Sequence, residues 1–371
     1  MGRASTVSEP ISPRRSSVDP ARAFSLVVTV RNDRDGLRQL LPALESQTLP
    51  PAELIIVDGG SVDGTLDVLE GWSPARFPVR VVAEPGSNIA EGRNAGVRLA
   101  QYDWIACTDA GCRPDPTWLD ALAGAPAEAD IVAGIFIPEG GSDFERIASL
   151  AHYPVREELG ESSFLLRAAH RLFGRDFRDS QAGGRSMAFR KQAWEAIGGM
   201  PADQYAGEDM AFTAALLKRG FRTALAPEAV IRWRPPRTWR ATARMFFTYC
   251  RGDVRRPPRA RHGLRAAAWL VGSRVAMSGD WRARSIVGVG FLAYIGLPLR
   301  RVRRAGIPVR HWWRVPVAVA VKDLSQLAGA AAGLTDLMRR QSQPNPHSAR
   351  DHKGHDADAV PKVRSDAQTP V

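Results

Sequence analysis

Short apolar runs alternate with amphipathic stretches from residue 25 to about residue 134. Runs rich in β-branched residues predict strands at Ser25–Val30, Glu53–Val57, Val79–Ala83, Trp104–Thr108 and Asp130–Ala133. Apolar residues recurring three and four positions apart predict helices at Gly36–Gln47, Gly64–Gly71, Ile89–Ala100 and Pro116–Ala123. Strand and helix in alternation predict an α/β fold: a mostly parallel nucleotide-binding sheet with helices on both faces. Residues 143–180 read as helix and loop, and residues 184–233 return to short strands and helices. From Arg237 the pattern turns helical, basic and rich in tryptophan, so a boundary falls near Pro235-Pro236. The division is a disordered segment over 1–22, an α/β domain over 23–235, a helical basic region over 236–340 and a disordered polar tail over 341–371.

Of 371 residues, 44% are hydrophobic and 24% charged, enough to bury a core. The net charge of +12 is concentrated late. Between Ile231 and Arg265 stand eleven arginines and one acid, Asp253, and a second cluster comprises Arg300, Arg301, Arg303, Arg304, Arg310 and Arg314. Such clusters suit phosphates or an anionic membrane surface. No nucleic-acid-binding motif accompanies the charge, so nucleic acid is not an expected partner. Three cysteines, Cys107, Cys112 and Cys250, give neither an even disulfide framework nor metal-ligand spacing, which suits a reducing cytosol. The longest clean apolar run, Ser285 to Leu299, gives about 22 Å of helix, short of the ~30 Å hydrocarbon core. Val315 to Leu334 contains Lys322 and Asp323. Both read as interfacial or packed helices rather than spans. Tryptophans at 233, 239, 269, 281, 312 and 313 are interleaved with arginine. They are either interfacial anchors or the core of a helical appendage.

The candidate chemistry collects at strand ends. The second predicted strand runs into Asp58-Gly59-Gly60-Ser61-Val62-Asp63-Gly64-Thr65. In open α/β sheets ligands bind beyond the carboxyl ends of the strands, and glycines there let the backbone come close to a ligand. Asp58 can accept from a base or ribose, whereas Asp63 serves either the ligand or as a helix cap. The first strand ends in Thr29-Val30-Arg31-Asn32-Asp33 and the fourth in Cys107-Thr108-Asp109-Ala110-Gly111. One helix opens with Asn88-Ile89-Ala90-Glu91-Gly92-Arg93-Asn94-Ala95-Gly96, and another with Gly207-Glu208-Asp209-Met210.

In this order and spacing the motifs resemble the family 2 inverting glycosyltransferases, over roughly residues 24–235. The stretch Trp233–Asp253 is similar to a membrane-associated bacterial subgroup that makes exopolysaccharide or other envelope glycans. The resemblance implies the glycosyltransferase-A fold for the catalytic domain over 23–235. It also implies transfer of a sugar from a nucleoside-diphosphate sugar to a hydroxyl acceptor, a lipid-linked glycan intermediate, at the cytoplasmic face of the membrane with peripheral or monotopic attachment. By the same resemblance Thr29, Arg31, Asp58, Asp63, Arg93 and Asp109 serve the donor. Asp109 holds a divalent cation, Mg²⁺ or Mn²⁺, and Asp209 is the catalytic base. Gly184, Arg185, Glu208, Arg232 and Arg234 serve the acceptor or the leaving group. Two departures stand out. Gly111 replaces the second acid of the family's Asp-x-Asp motif, and Arg232 and Arg234 stand where many members carry a histidine. A non-catalytic sugar-nucleotide-binding protein and a nucleotidyltransferase are the alternative readings.

Overall fold

The computed structural model describes residues 22–158, 182–203, 206–253 and 260–341. The two segments read from sequence as disordered, apart from Arg22 and Gln341 at their inner edges, and residues 159–180 of the helix-and-loop stretch lie outside the described residues. Eight strands form one sheet: β1 (Phe24–Val30), β2 (Glu53–Asp58), β3 (Val79–Ala83), β4 (Trp104–Asp109), β5 (Cys112–Pro114), β6 (Ile131–Pro138), β7 (Met187–Arg190) and β8 (Thr223–Trp233). Their order is β3-β2-β1-β4-β7-β6-β8-β5. The first four run parallel, β7 runs against both its neighbours, and β8 runs parallel to β6.

The alternation within each strand explains the layering. Phe24, Leu26, Val28 and Val30 of β1 join Leu54 and Ile56 of β2 on one face. They meet α1 (Arg34–Glu45) through Leu37, Leu40, Leu41 and Leu44, and α3 (Trp118–Ala123) through Trp118, Leu119 and Leu122. Val27, Ile55, Val57, Ile105 and Cys107 face the other way, onto α2 (Ile89–Leu99) through Ala90, Ala95 and Val97. Both faces are covered, as a parallel sheet requires.

Only two residues separate β4 from β5, yet β5 pairs with β8 at the far edge. Four strand spacings amount to about 19 Å, while the chain from Asp109 to Cys112 reaches at most about 11 Å. The sheet therefore curls, and its far half folds back over the carboxyl ends of β1 and β4.

Among the described residues the remaining helices are α4 (Asp143–His152), α5 (Lys191–Ala196), α6 (Glu208–Lys218), α7 (Trp239–Asp253), α8 (Ala260–Ala276), α9 (Trp281–Arg304) and α10 (Arg314–Gln341). The helix expected at Gly64–Gly71 shrinks to one 3-10 turn, Leu66–Val68. Its glycines hold φ of +80° and +77°, outside helical space, and Asp63 binds the Thr65 amide instead of letting a helix begin earlier. The α/β half and the late helices share packing. Ile147 of α4 meets Val302, Ile307 and Val315, and Ala151 meets Ile295, Ala318 and Val319. Arg301 is buried against Glu158 with Nε to Oε1 at 2.7 Å, and it also donates to the Tyr153 carbonyl at 2.7 Å.

Among the described residues, Trp281–Arg304 and Val309–Arg339 are long and apolar enough to cross a membrane by length and composition. The first exceeds the fifteen-residue apolar run because arginines at both ends join the helix. The second carries Lys322 and Asp323 inward. Lys322 lies 5.5 Å over the Phe246 ring, and Asp323 accepts from Trp269 and Tyr294.

Candidate active site

The strand order reverses at β1. The chain builds outward through β2 and β3, then returns to lay β4 on the other side of β1. That reversal opens a crevice at the strand ends, the usual ligand position in such sheets. A cleft of about 410 Å³ sits there, lined among others by Thr29, Arg31 and Asp33 from the β1 end, Val57 and Gly59 from β2, and Asp109, Ala110 and Gly111 from β4. The size suits a small organic ligand. Gly92 of α2 also lines it, and a Cβ there would stand 3.1 Å from Thr29 Cγ2, so a side chain at this position would crowd the end of β1.

Asp109 shares the parity of Ile105 and Cys107 and so faces α2. Its Oδ1 meets Arg93 Nη2 at 2.7 Å, and Arg93 Nη1 meets Glu208 Oε1 at 2.7 Å. Arg93 is only 1% exposed. It therefore lies beneath the cleft, tying β4 to the start of α6. Burial would lower its proton affinity, but Asp109 and Glu208 outweigh that and raise it, so it stays charged. Glu208 is pushed above its ordinary carboxyl range, chiefly by burial and against the pull of Arg93.

Asp209 stands two residues after Gly207, whose φ of +83° turns the chain sharply into α6. Its Oδ2 accepts the Gly184 amide at 2.8 Å, and its Oδ1 accepts the Met210 amide at 2.7 Å. A Cβ on Gly184 would strike the Arg93 guanidinium at 2.2 Å. Thus Asp109, Arg93, Gly184, Glu208 and Asp209 are brought together from four separate segments.

The glycine-rich octapeptide is arranged differently. Asp58 has the parity of Leu54 and Ile56 and is 2% exposed. It accepts the Gly60 amide at 3.0 Å, the Ser61 amide at 3.0 Å and the Ser61 hydroxyl, which holds the loop in shape. Asp63 accepts the Thr65 amide and hydroxyl and, at 3.3 Å, the Arg34 amide. Its carboxyl is held below the ordinary range, first of all by the Thr65 hydroxyl. Asp58 thus serves its own turn, and Asp63 serves its own turn and the start of α1.

Arg232 and Arg234 are not brought to the cleft. Arg232 is forked onto Asp115 at 2.7 and 3.2 Å, and Arg234 reaches Glu145 at 3.4 Å. Burial pushes the Cys107 and Cys112 thiols up to about 12, so neither is a thiolate at neutral pH.

Among the described residues no group of three or more His, Cys, Asp or Glu side chains could hold a metal ion. Two carboxylates are nevertheless present at the cleft. A Cβ on Gly111 would stand 2.9 Å from Asp33 Oδ2, so the Asp33 carboxylate occupies the space where a side chain at 111 would begin. Burial, then Asp63, Asp35 and Asp109, push the Asp33 carboxyl above its ordinary range, while the Gly36 amide pulls it down. Asp109 and Asp33 both line the cleft, so theirs are the carboxylates there that could contribute oxygens to a divalent cation.

Asn94 was not singled out by its sequence context. It accepts the Trp194 indole and the Met200 amide, and donates to the Met200 carbonyl, all at 2.8–2.9 Å. Asn88 donates to the Ala202 carbonyl at 2.9 Å. Together they anchor the loop leading to α6. The only sequence signal was their place in the Asn-x5-Asn helix start, which caps and positions at once.

A family model described as Glycosyl transferase family 2 matches residues 25–192. The chain is 24% identical over 335 residues to the glycosyltransferase AglE of Haloferax volcanii, covering 86% of this chain and 97% of that protein. It is also 24% identical to the pre-mycofactocin glycosyltransferase of Mycobacterium tuberculosis, covering 89% of this chain and 74% of that protein. A mannosyltransferase from Pyrobaculum calidifontis, solved with GDP-Man and Mn²⁺, shares the fold with a TM-score of 0.52 and 19% identity, over 85% of this chain and 91% of that one.

Proposed function

From a chain that carries a glycosyltransferase family 2 domain over residues 25–192 and is a glycosyltransferase, we propose that it transfers a sugar, with inversion, from a nucleoside-diphosphate sugar to a hydroxyl acceptor. The observation that carries this reading is the buried bridge Asp109–Arg93–Glu208, which couples the cleft at the end of β1 and β4 to Asp209. Thr29 and Arg31 wall the cleft for the base and ribose. Asp58 and Asp63 set the loop beside them. Asp209, fixed by the Gly184 amide, takes the proton of the acceptor hydroxyl as its oxygen attacks the anomeric carbon from the face opposite the leaving diphosphate. Asp109 and Asp33 would hold a divalent cation, which when bound neutralises charge on the leaving diphosphate.

The catalytic domain then spans residues 23–235, and residues 236–340 place it on a membrane. On α8, α9 and the turn between them, Leu270, Val271, Met277, Trp281, Ile286, Val289 and Leu292 are exposed, Trp281 at 69% and Ile286 at 73%. Arg274, Arg282 and Arg284 stand among them. Apolar side chains edged by arginine suit the headgroup region of an anionic leaflet, with the helices lying along it. A lipid-linked glycan intermediate on the cytoplasmic face, in envelope or exopolysaccharide synthesis, is the acceptor that this placement serves.

Thermal-shift screening of the full chain against a nucleotide-sugar panel, with and without Mg²⁺ or Mn²⁺, tests the reading, because a bound donor stabilises by mass action. A stabilising donor, released as nucleoside diphosphate on transfer or slow hydrolysis, is expected. Stabilisation by a donor with no release of diphosphate would leave a sugar-nucleotide-binding protein. No stabilisation by any donor would overturn the assignment.

A further inference from the structure

Arg185 is held differently from four other arginines of the fold. Arg93, Arg232, Arg234 and Arg301 each meet a carboxylate. Arg185 has none among the described residues, and its hydrogen bond runs to a neutral group, from Nη2 to the Tyr249 hydroxyl at 2.7 Å. Its Nε is shut away from solvent without an acceptor. Aromatic rings hold it instead. The guanidinium lies 4.3 Å over the Trp233 ring and 5.3 Å over Phe136. Tyr153 closes the frame, edge-on to both rings at 5.6 Å.

The frame is assembled from β6, the end of α4, β8 and α7, so the late helices supply one wall. Ring faces stabilise a guanidinium and fix its plane without cancelling its charge. The position is equally specific. Gly184, directly before Arg185, donates to Asp209, and Asp109 lies within electrostatic reach of the guanidinium. A planar cation with spare donors is thus held between the donor side of the cleft and the proposed base.

We propose that Arg185, framed by Phe136, Tyr153, Trp233 and Tyr249, is a subsite for a phosphoryl group. This deepens the transferase reading and rests on it for its two sources of phosphoryl: the diphosphate leaving with the nucleoside, or a phosphoryl group that links the acceptor glycan to its lipid. A fork of N–H donors matches two phosphoryl oxygens, which a lysine cannot do from one point charge.

Calorimetry on the full chain with UDP, GDP, uridine, guanosine and decyl phosphate separates the outcomes. Arg185→Gln should weaken a phosphoryl ligand by about 30-fold or more, as loss of one partner of a buried charge contact does, while nucleoside binding holds. Loss confined to the nucleoside diphosphate assigns the subsite to the leaving group, and loss confined to decyl phosphate assigns it to the acceptor. Arg185→Lys should recover part of the affinity, and Tyr249→Phe, which frees the fork from its strut, should lie between. If Arg185→Gln keeps the wild-type near-ultraviolet circular dichroism and binds every phosphoryl probe within about twofold of wild type, the subsite is rejected. Should that variant fail to fold, wild-type affinities in both Arg185→Lys and Tyr249→Phe reject it equally. Wild-type protein that binds decyl phosphate but no nucleoside diphosphate would sink the donor reading and leave the subsite standing.

Discussion

At the scale of single residues, the buried Arg93 decides more than any exposed group. It neutralises one of the two carboxylates it touches, so its loss leaves Asp109 and Glu208 buried or half-buried and mutually repelling. Arg93→Met should cost about 3–5 kcal/mol of stability, measured by urea unfolding, and Arg93→Met combined with Glu208→Gln should recover part of it. Asp209→Asn should leave stability and donor binding near wild type and lower turnover by roughly 10²–10⁴, the usual worth of a positioned base. Turnover close to wild type would remove Asp209 from the chemistry. Gly111→Asp restores the second acid in sequence but not in space, because its Cβ meets Asp33 Oδ2 at 2.9 Å. It should destabilise by about 1–3 kcal/mol from crowding, measured by urea unfolding. The motif letters around Arg93 marked it as functional. Its role was hidden because burial and partners 16 and 115 residues away are not written in a local pattern.

At the scale of elements, the first four strands were legible to within a residue, since period-two alternation with both faces apolar is a strong signal, whereas the strand expected at Asp130–Ala133 runs on to Pro138. The same alternation misled where it was ignored. Polar groups at successive strand ends do not all face one crevice: Asp109 takes the parity of the α2 face and Asp58 that of the α1 face. The short β5 was not legible, because three residues have no period, and only the fold gives Cys112–Pro114 a partner. Helix starts, by contrast, are written locally. At α4, Ser142 and Glu145 cap reciprocally, and Glu145 also accepts the Gly141 amide and meets Arg234. Burial pushes the Glu145 carboxyl up, yet the Ser142 hydroxyl and amide and Arg234 outweigh it, so its value falls below the ordinary 4.5. A depressed carboxylate stabilises the fold above its unfolded pKa and stops doing so as pH falls through the folded one. Glu145→Ala should therefore cost about 0.5–2 kcal/mol at pH 7, and the gap from wild type should close progressively below pH 4.5 in urea titrations at several pH values.

At the scale of the whole molecule, charge and tryptophan content marked the late region as distinct. What they could not show is that its inner faces complete the core over α4. Deleting everything from Arg237 would uncover Ile147 and Ala151, so solubility after truncation says little about membranes. A sharper test keeps the packing and alters the outer stripe alone. Trp281→Ser, Ile286→Ser and Val289→Ser together should abolish flotation with anionic liposomes at low salt while leaving donor binding intact. Wild-type protein that stays with the soluble fraction would make the stripe an ordinary surface. The curl of the sheet also governs the order in which this protein comes into being. The two residues after Asp109 are pinned on their far side by Trp233, so the rim of the cleft waits for a segment made more than a hundred residues later. Such long closure is slow, because loop entropy is lost before the contacts that reward it form. A chain still on the ribosome therefore has no working cleft until β8 has emerged, and the first donor it binds reports that the domain has closed.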